Sequence, residues 1–341
     1  MDGRPLRDLL DGAPAEEPQI GPVARNALRA GIRLRRRRAA GMAGGVAVAA
    51  AIAIAVPSVT APSGTGHGGP SAAARPIGAA MGGHGDRPLH LAFSSGGKIL
   101  ATADSDGTAW LWNVATHRQI GAPFRVSHVK ALSVAFSPDG KMLATGGLDG
   151  TAWLWKVATR HQIGAAMPTG GADISQVAFS PDGKILATVY ELHVTLWSVA
   201  THRQTGKPIR AVVLAVAFSP DSKLLAAACN ELGYIRVWNV ATHHRIGTIM
   251  SAGSTDACGV AFTPSGKTLV TTDTDGTIRQ WSVATHHQIR APIITQGDPC
   301  PAFGAEALSP DGNILATTQF DGPARLWHLA TAERTRPGQT H

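Results

Sequence analysis

Residues 134–159 read VAFSPDGKMLATGGLDGTAWLWKVAT, and this phrase decides the fold. An apolar run ending in Phe136 has the length of one short strand. Ser137-Pro138-Asp139-Gly140 supplies the residue types of a tight turn, and the K-x-L-A-T stretch after it reads as a second strand. Asp149-Gly150 marks another tight turn before a third strand that ends on Trp155. The phrase recurs at 91–116, 177–201, 216–242, 260–285 and 306–331, with its Trp at Trp112, Trp155, Trp197, Trp238, Trp281 and Trp327. A fourth stretch, such as RQIGAPFRV (118–126), joins one copy to the next. Four short antiparallel strands per copy form one small sheet. Such a sheet cannot bury both faces alone, so successive copies must stack radially as the blades of a β-propeller.

The phrase AFSPDGK…LAT…DGT…LW.VAT resembles the WD40 repeat family over residues 75–331, in the bacterial membrane-anchored style. The resemblance implies an all-β propeller of four-stranded blades. Six is the simplest count, whereas seven is the commoner number in the family. In that family an N-terminal segment completes the last blade, and here PIGAAM (76–81) echoes QIGAAM (162–167). The chain departs from the family's pattern at the residue after each Trp, which is Asn113, Lys156, Ser198, Asn239, Ser282 or His328 and never Asp. The Gly-His pair appears only at Gly83-His84, so the hydrogen-bonded His–Ser/Thr–Asp–Trp tetrad is complete at most in the first blade. Glu191 and Leu232 replace the turn Asp in copies three and four, which predicts looser blades there.

The 341 residues carry a net charge of +8, which looks like a nucleic-acid signal until it is located. Half of it lies in residues 1–38, where Arg33 and the run 35–38 stand just before a segment without charge from 39 to 66. AAGMAGGVAVAAAIAIAV (39–56) spans about 27 Å as a helix, close to the thickness of a hydrocarbon core. The preceding arginines favour a cytoplasmic N-terminus and an extracytoplasmic propeller. The expected organisation is therefore a basic segment 1–38, a transmembrane helix 39–56, a Pro/Gly/Ala-rich linker 57–74, the propeller 75–331 and a polar tail 332–341. Beyond the head the chain is nearly neutral, and no nucleic-acid partner is expected.

The sequence holds no G-x-S-x-G elbow and no H-E-x-x-H. Gly266-Lys267-Thr268 ends like a phosphate loop, but Ala261 stands where that loop needs Gly. Asp104-Ser105-Asp106-Gly107 begins like a calcium loop, yet the twelfth position is Ala115 rather than Glu. No catalytic residue, metal site or cofactor is expected. Two surfaces remain as candidates. One is the turn face that the family uses for partners, where Leu148, Tyr190 and Phe320 are apolar or aromatic, together with Trp110 and Trp153 two residues before the shared Trp. The other is the opposite face, where His117, His161, His202, His243 and His286 follow the Val-Ala-Thr turns beside the turn lysines and make a candidate anion-binding ring. Cys229 ends an apolar strand and reads as a buried thiol, and an exported domain leaves a Cys258–Cys300 pairing open.

These observations predict a monomeric, non-catalytic protein-interaction scaffold or sensor module displayed from a membrane by a single-pass anchor. The alternatives are a small-ligand-binding or enzymatic propeller that uses its central channel, and a soluble cytoplasmic scaffold of the same fold.

Overall fold

A computed structural model of the chain describes residues 76–81, 88–126, 130–170, 173–229, 233–251, 257–273, 277–294, 306–310, 314–317 and 324–328. The anticipated membrane helix 39–56, the linker, Phe320 and Cys300 lie outside these residues. Among the described residues no helix is long and apolar enough to cross a membrane.

The described chain is all β. It begins with β1 (Pro76–Met81) and then builds four-stranded antiparallel sheets in sequence order. Sheet I comprises β2 (Pro88–Phe93), β3 (Ile99–Asp104), β4 (Thr108–Asn113) and β5 (Phe124–Arg125). Sheet II holds β6 (Ala131–Phe136), β7 (Met142–Gly147), β8 (Thr151–Lys156) and β9 (Gln162–Pro168). Sheet III follows with β10 (Ile174–Phe179), β11 (Ile185–Tyr190), β12 (His193–Ser198) and β13 (Ile209–Arg210). Sheet IV is β14 (Val213–Phe218), β15 (Leu224–Cys229), β16 (Tyr234–Asn239) and β17 (Arg245–Ser251). Sheet V is β18 (Ala257–Phe262), β19 (Thr268–Asp273), β20 (Thr277–Ser282) and β21 (Ile293–Ile294). In sheet VI, β22 (Glu306–Leu308), β23 (Ile314–Thr317) and β24 (Ala324–His328) are joined by β1, which pairs antiparallel with β24. The echo of PIGAAM in QIGAAM thus has a structural counterpart, because both segments serve as outer strands. All these strands lie within one compact unit, Ala43–His341.

Strand alternation explains how the sheets stack. In the K-x-L-A-T strand, Leu and Ala are neighbours and so face opposite sides of the sheet. Ala92, Ala101 and Ala103 of sheet I make a flat floor on which Val134, Leu143 and Trp155 of sheet II rest. The arrangement repeats where Ala135 and Ala144 meet Val177, Leu186 and Trp197, and again where Ala178 and Ala187 meet Val216, Leu225 and Trp238. Leu143, Leu186 and Leu225 are fully buried. Truncating one of them to Ala is expected to cost about 2–5 kcal/mol.

Polar pins overlie this packing. The indole Nε1 of Trp112, Trp155, Trp197 and Trp281 donates to Thr102, Thr145, Thr188 and Thr271 of the neighbouring strand, at 3.3, 2.9, 2.9 and 3.1 Å. These bonds hold the shared Trp to its own sheet, and the residue after each of these Trp is Asn113, Lys156, Ser198 or Ser282 rather than Asp. A second pin links the inner strands. Each inner strand of sheets I–V carries a β-bulge at the same place, for example between Pro88 and His90 and between Ala131 and Ser133. Beyond the bulge the Val134 amide donates to His90 Nδ1 (3.3 Å), Val177 to Ser133 Oγ (2.9 Å) and Val216 to Gln176 Oε1 (3.0 Å). Each bond ties one sheet to the next.

Candidate functional site

Two sets of turns define two faces. The Asp-Gly turns of sheets I and II place Asp106 and Asp149 so that each carboxylate accepts the amide two residues on, from Thr108 and Thr151. Leu148 stands out from this face at 38% exposure. Tyr190 does not stand with it. It is the last residue of β11, pairs with His193, and keeps only 8% exposure. Its hydroxyl meets Thr195 Oγ1 at 2.9 Å, and its ring stacks on His193 at 5.5 Å. Copy three connects these strands through Glu191-Leu192 alone, one residue fewer than Leu148-Asp149-Gly150, with Glu191 at φ +43°. The shorter turn moves Tyr190 out of the turn register and into the strand. Burial, followed by the Arg210 charge, lowers the pKa of His193 beside it.

Trp110 and Trp153 are both half-buried but pack in different seams. Trp110 lies on the cluster of Leu91, Leu100 and Leu326, stacks against Trp112 at 6.3 Å, and donates to Thr108 Oγ1 at 2.8 Å. Trp153 joins the cluster of Phe124, Leu143 and Trp155. At the end of β19 on this same face, Asp273 is fully buried and ion-paired with Arg279, whose pKa burial lowers.

The opposite face carries the Ser-Pro-Asp-Gly turns. Ser137 Oγ accepts the Met142 amide and donates to Asp139 Oδ1 at 2.6 Å, and the Lys141 amide also donates to Asp139. Sheets III and IV repeat this with Ser180–Asp182 and Ser219–Asp221. The serine bond leads in holding Asp139 and Asp221 below the usual carboxylate range, and Asp182 is lowered too, against the opposing effect of its own burial. Backbone bonds from Val157 to Lys141, Val199 to Lys184 and Val240 to Lys223 place the Val-Ala-Thr turns on this same face.

The five candidate histidines do not form one equivalent ring. His117, His202, His243 and His286 take left-handed backbone angles near +58°, and in copy two that position belongs to Arg160. His161 occupies the next, exposed position, alongside Arg118, Arg203, His244 and His287. The left-handed residue folds into the seam. His202 Nδ1 meets Ala165 O at 3.1 Å, His243 Nδ1 meets Lys207 O at 2.8 Å, and the Arg160 guanidinium donates to Ile120 O. Their planes lie over Gly121, Gly164, Gly206 and Gly247 of the preceding sheet, where an added Cβ would overlap the ring or guanidinium. Sequence alone did not separate the two positions, because copy two reverses the order to Arg-His.

Between the inner strands a cavity of about 280 Å³ is lined by Phe93, Phe136, Phe179, Phe218 and Phe262, with Pro138, Pro181, Pro220 and Pro310 among its wall residues. It went unnoticed in the sequence, although the signal was present: each of these Phe residues ends an inner strand one or two residues before a turn proline or serine. Farther along the inner strands, burial lowers His90 to a pKa of about 3. Its Nδ1 accepts the Val134 amide, so the ring stays neutral and serves as a pin. Among the described residues no group of three or more His, Cys, Asp or Glu is placed to hold a metal ion.

The family model described as WD domain, G-beta repeat matches residues 77–113, 122–156, 200–239 and 245–282. Three of the four matches start at or near an outer strand of one sheet, the third starts in the turn after Trp197, and all four end one residue past a shared Trp. No curated protein matches the chain.

Proposed function

This chain carries WD40 repeats, and from that premise we propose that it is a non-catalytic protein-interaction scaffold or sensor module. WD40 repeats generally mediate protein–protein assembly. In this reading the six sheets are six blades of a monomeric propeller closed by β1. The observation that carries it is the inward use of polar groups: the hydroxyls of Thr102, Thr145, Thr188 and Thr271 bond within sheets, and His90, Ser133, Gln176, Arg160, His202 and His243 bond between them. The scaffold is thereby stiff, and its exposed turns, with Leu148 on one face and the basic turns on the other, are what a partner meets. The arginine block before the uncharged stretch 39–66 supports a single-pass anchor with the propeller outside the cytoplasm.

Two measurements on intact cells test this reading. Cross-linking followed by affinity capture of the full-length chain is expected to recover the same protein partner in repeated experiments. Recovery of none contradicts the scaffold role. Protease added outside the cells is expected to remove the propeller and spare residues 1–38, whereas full protection contradicts the topology.

A further inference from the structure

The Phe-lined cavity sits in the middle of a face whose charge is one-sided. Lys98, Lys141, Lys184, Lys223 and Lys267 emerge from the turns that frame it. Asp139, Asp182 and Asp221 approach three of them only at 3.9–4.0 Å, with lysine side chains 78–81% exposed. Such exposed pairs contribute little and leave the ammonium groups available. Lys98 and Lys267 follow Gly96 and Ser265, where the other turns have Asp. Farther out stand Arg118, Arg203, Arg245 and Arg290, all exposed. At the Asp-Gly end of the sheets, by contrast, Asp106, Asp149, Asp173 and Glu191 offset Arg125, Lys130 and Arg210. Among the described residues the exposed positive charge is therefore concentrated on the face where the cavity opens, and the exposed prolines Pro138, Pro181 and Pro220 form its rim.

We propose that this cavity and its basic rim bind an acidic peptide segment of a partner protein, which inserts one aromatic or large aliphatic side chain among the phenylalanines. The size of the space argues for an anchor of this kind. It is about twice the roughly 150 Å³ cavity that accommodates benzene in an engineered protein core, so it holds one or two apolar side chains. Apolar walls supply affinity by burying the anchor, and the lysines and arginines steer and orient the flanking carboxylates. His202, His243 and His286 are committed to the seams, so anion recognition falls to the lysines and arginines. This inference rests on the protein-interaction reading above and assigns it a site and a partner chemistry.

The test uses the purified full-length chain and a fluorescein-labelled heptapeptide with a central Phe flanked by three Asp on each side. Saturable binding is expected, weakened by at least about tenfold when Ala replaces the central Phe. The triple variant Lys141→Glu, Lys184→Glu, Lys223→Glu is expected to lose binding to a similar degree while its thermal melt stays unchanged, since these side chains are solvent-exposed. A photoreactive benzoyl group on the central residue is expected to label the Phe136–Pro138 and Phe179–Pro181 segments. Equal binding of the Ala peptide, labelling confined to other segments, or tighter binding of dodecanoate than of the peptide each overturns the proposal. If cells still yield a partner whose capture survives the triple lysine variant, this inference falls and the scaffold reading stands.

Discussion

Sheets II and IV are made from the same phrase and pack the same Leu and Trp, yet their polar fittings differ at buried, equivalent positions. Sheet II has Ser133, which accepts the Val177 amide, and Thr145, which accepts the Trp155 indole. Sheet IV has Ala215 and Ala227 there, and Cys229 where sheet V has the ion-paired Asp273. Leu143 and Leu225 are both fully buried, and Trp155 and Trp238 nearly so. The contrast teaches that the Ala-floor and Leu-knob packing is the constant of this fold and the polar pins are optional. Apolar burial supplies the bulk of the stability, and the pins fix register between and within sheets.

The largest test of that contrast is acidity. His90 pins sheet I to sheet II and is held neutral by burial, with its pKa lowered from 6.5 to about 3. The unfolded chain therefore binds a proton that the folded chain refuses. The His90 contribution to stability is expected to be full above about pH 6.5 and to be lost progressively as the pH drops from there toward 3. Hydrogen exchange at matched intrinsic rates is expected to show the β2–β6 seam losing protection before sheet IV. Equal loss in both places breaks the comparison.

Next in size is Arg279→Ala, which strands the buried Asp273 carboxylate and is expected to cost about 3–5 kcal/mol in a denaturation melt. Adding Asp273→Cys, which copies the residue of sheet IV, is expected to restore most of the loss. A smaller effect is expected for Thr145→Ala, which gives sheet II the Ala227 of sheet IV. Leaving the Trp155 indole without its acceptor costs about 1–3 kcal/mol. Gly164→Ala probes a part common to the sheets. Its φ of +64° and the His202 ring above it predict a loss of about 1–2 kcal/mol, read in the same melt.

Much of this architecture was legible in the sequence because each device has a residue signature. The Trp spacing, the turn dipeptides and the alternation of Leu with Ala all repeat, and repetition filters out accident. Tyr190 was misplaced because copy three shortens one turn by a residue, and a strand end cannot be told from a turn when the register slips by one. The histidine positions were merged because φ is invisible in sequence and copy two swaps His for Arg. The cavity was missed because a Phe at a strand end reads as core until five of them are seen to converge. The polar ladder from His90 through Ser133 to Gln176 shares no residue type, so no pattern announced it.

The central claim is that these sheets form a platform on which a partner protein docks, and in-cell photo-cross-linking tests it most directly. A photoreactive residue is introduced at Leu148 on the Asp-Gly face and, separately, at Lys184 on the basic face, in the full-length chain. The account predicts a discrete cross-linked adduct of defined mass from at least one of the two positions. Irradiation that leaves both variants unmodified would contradict it.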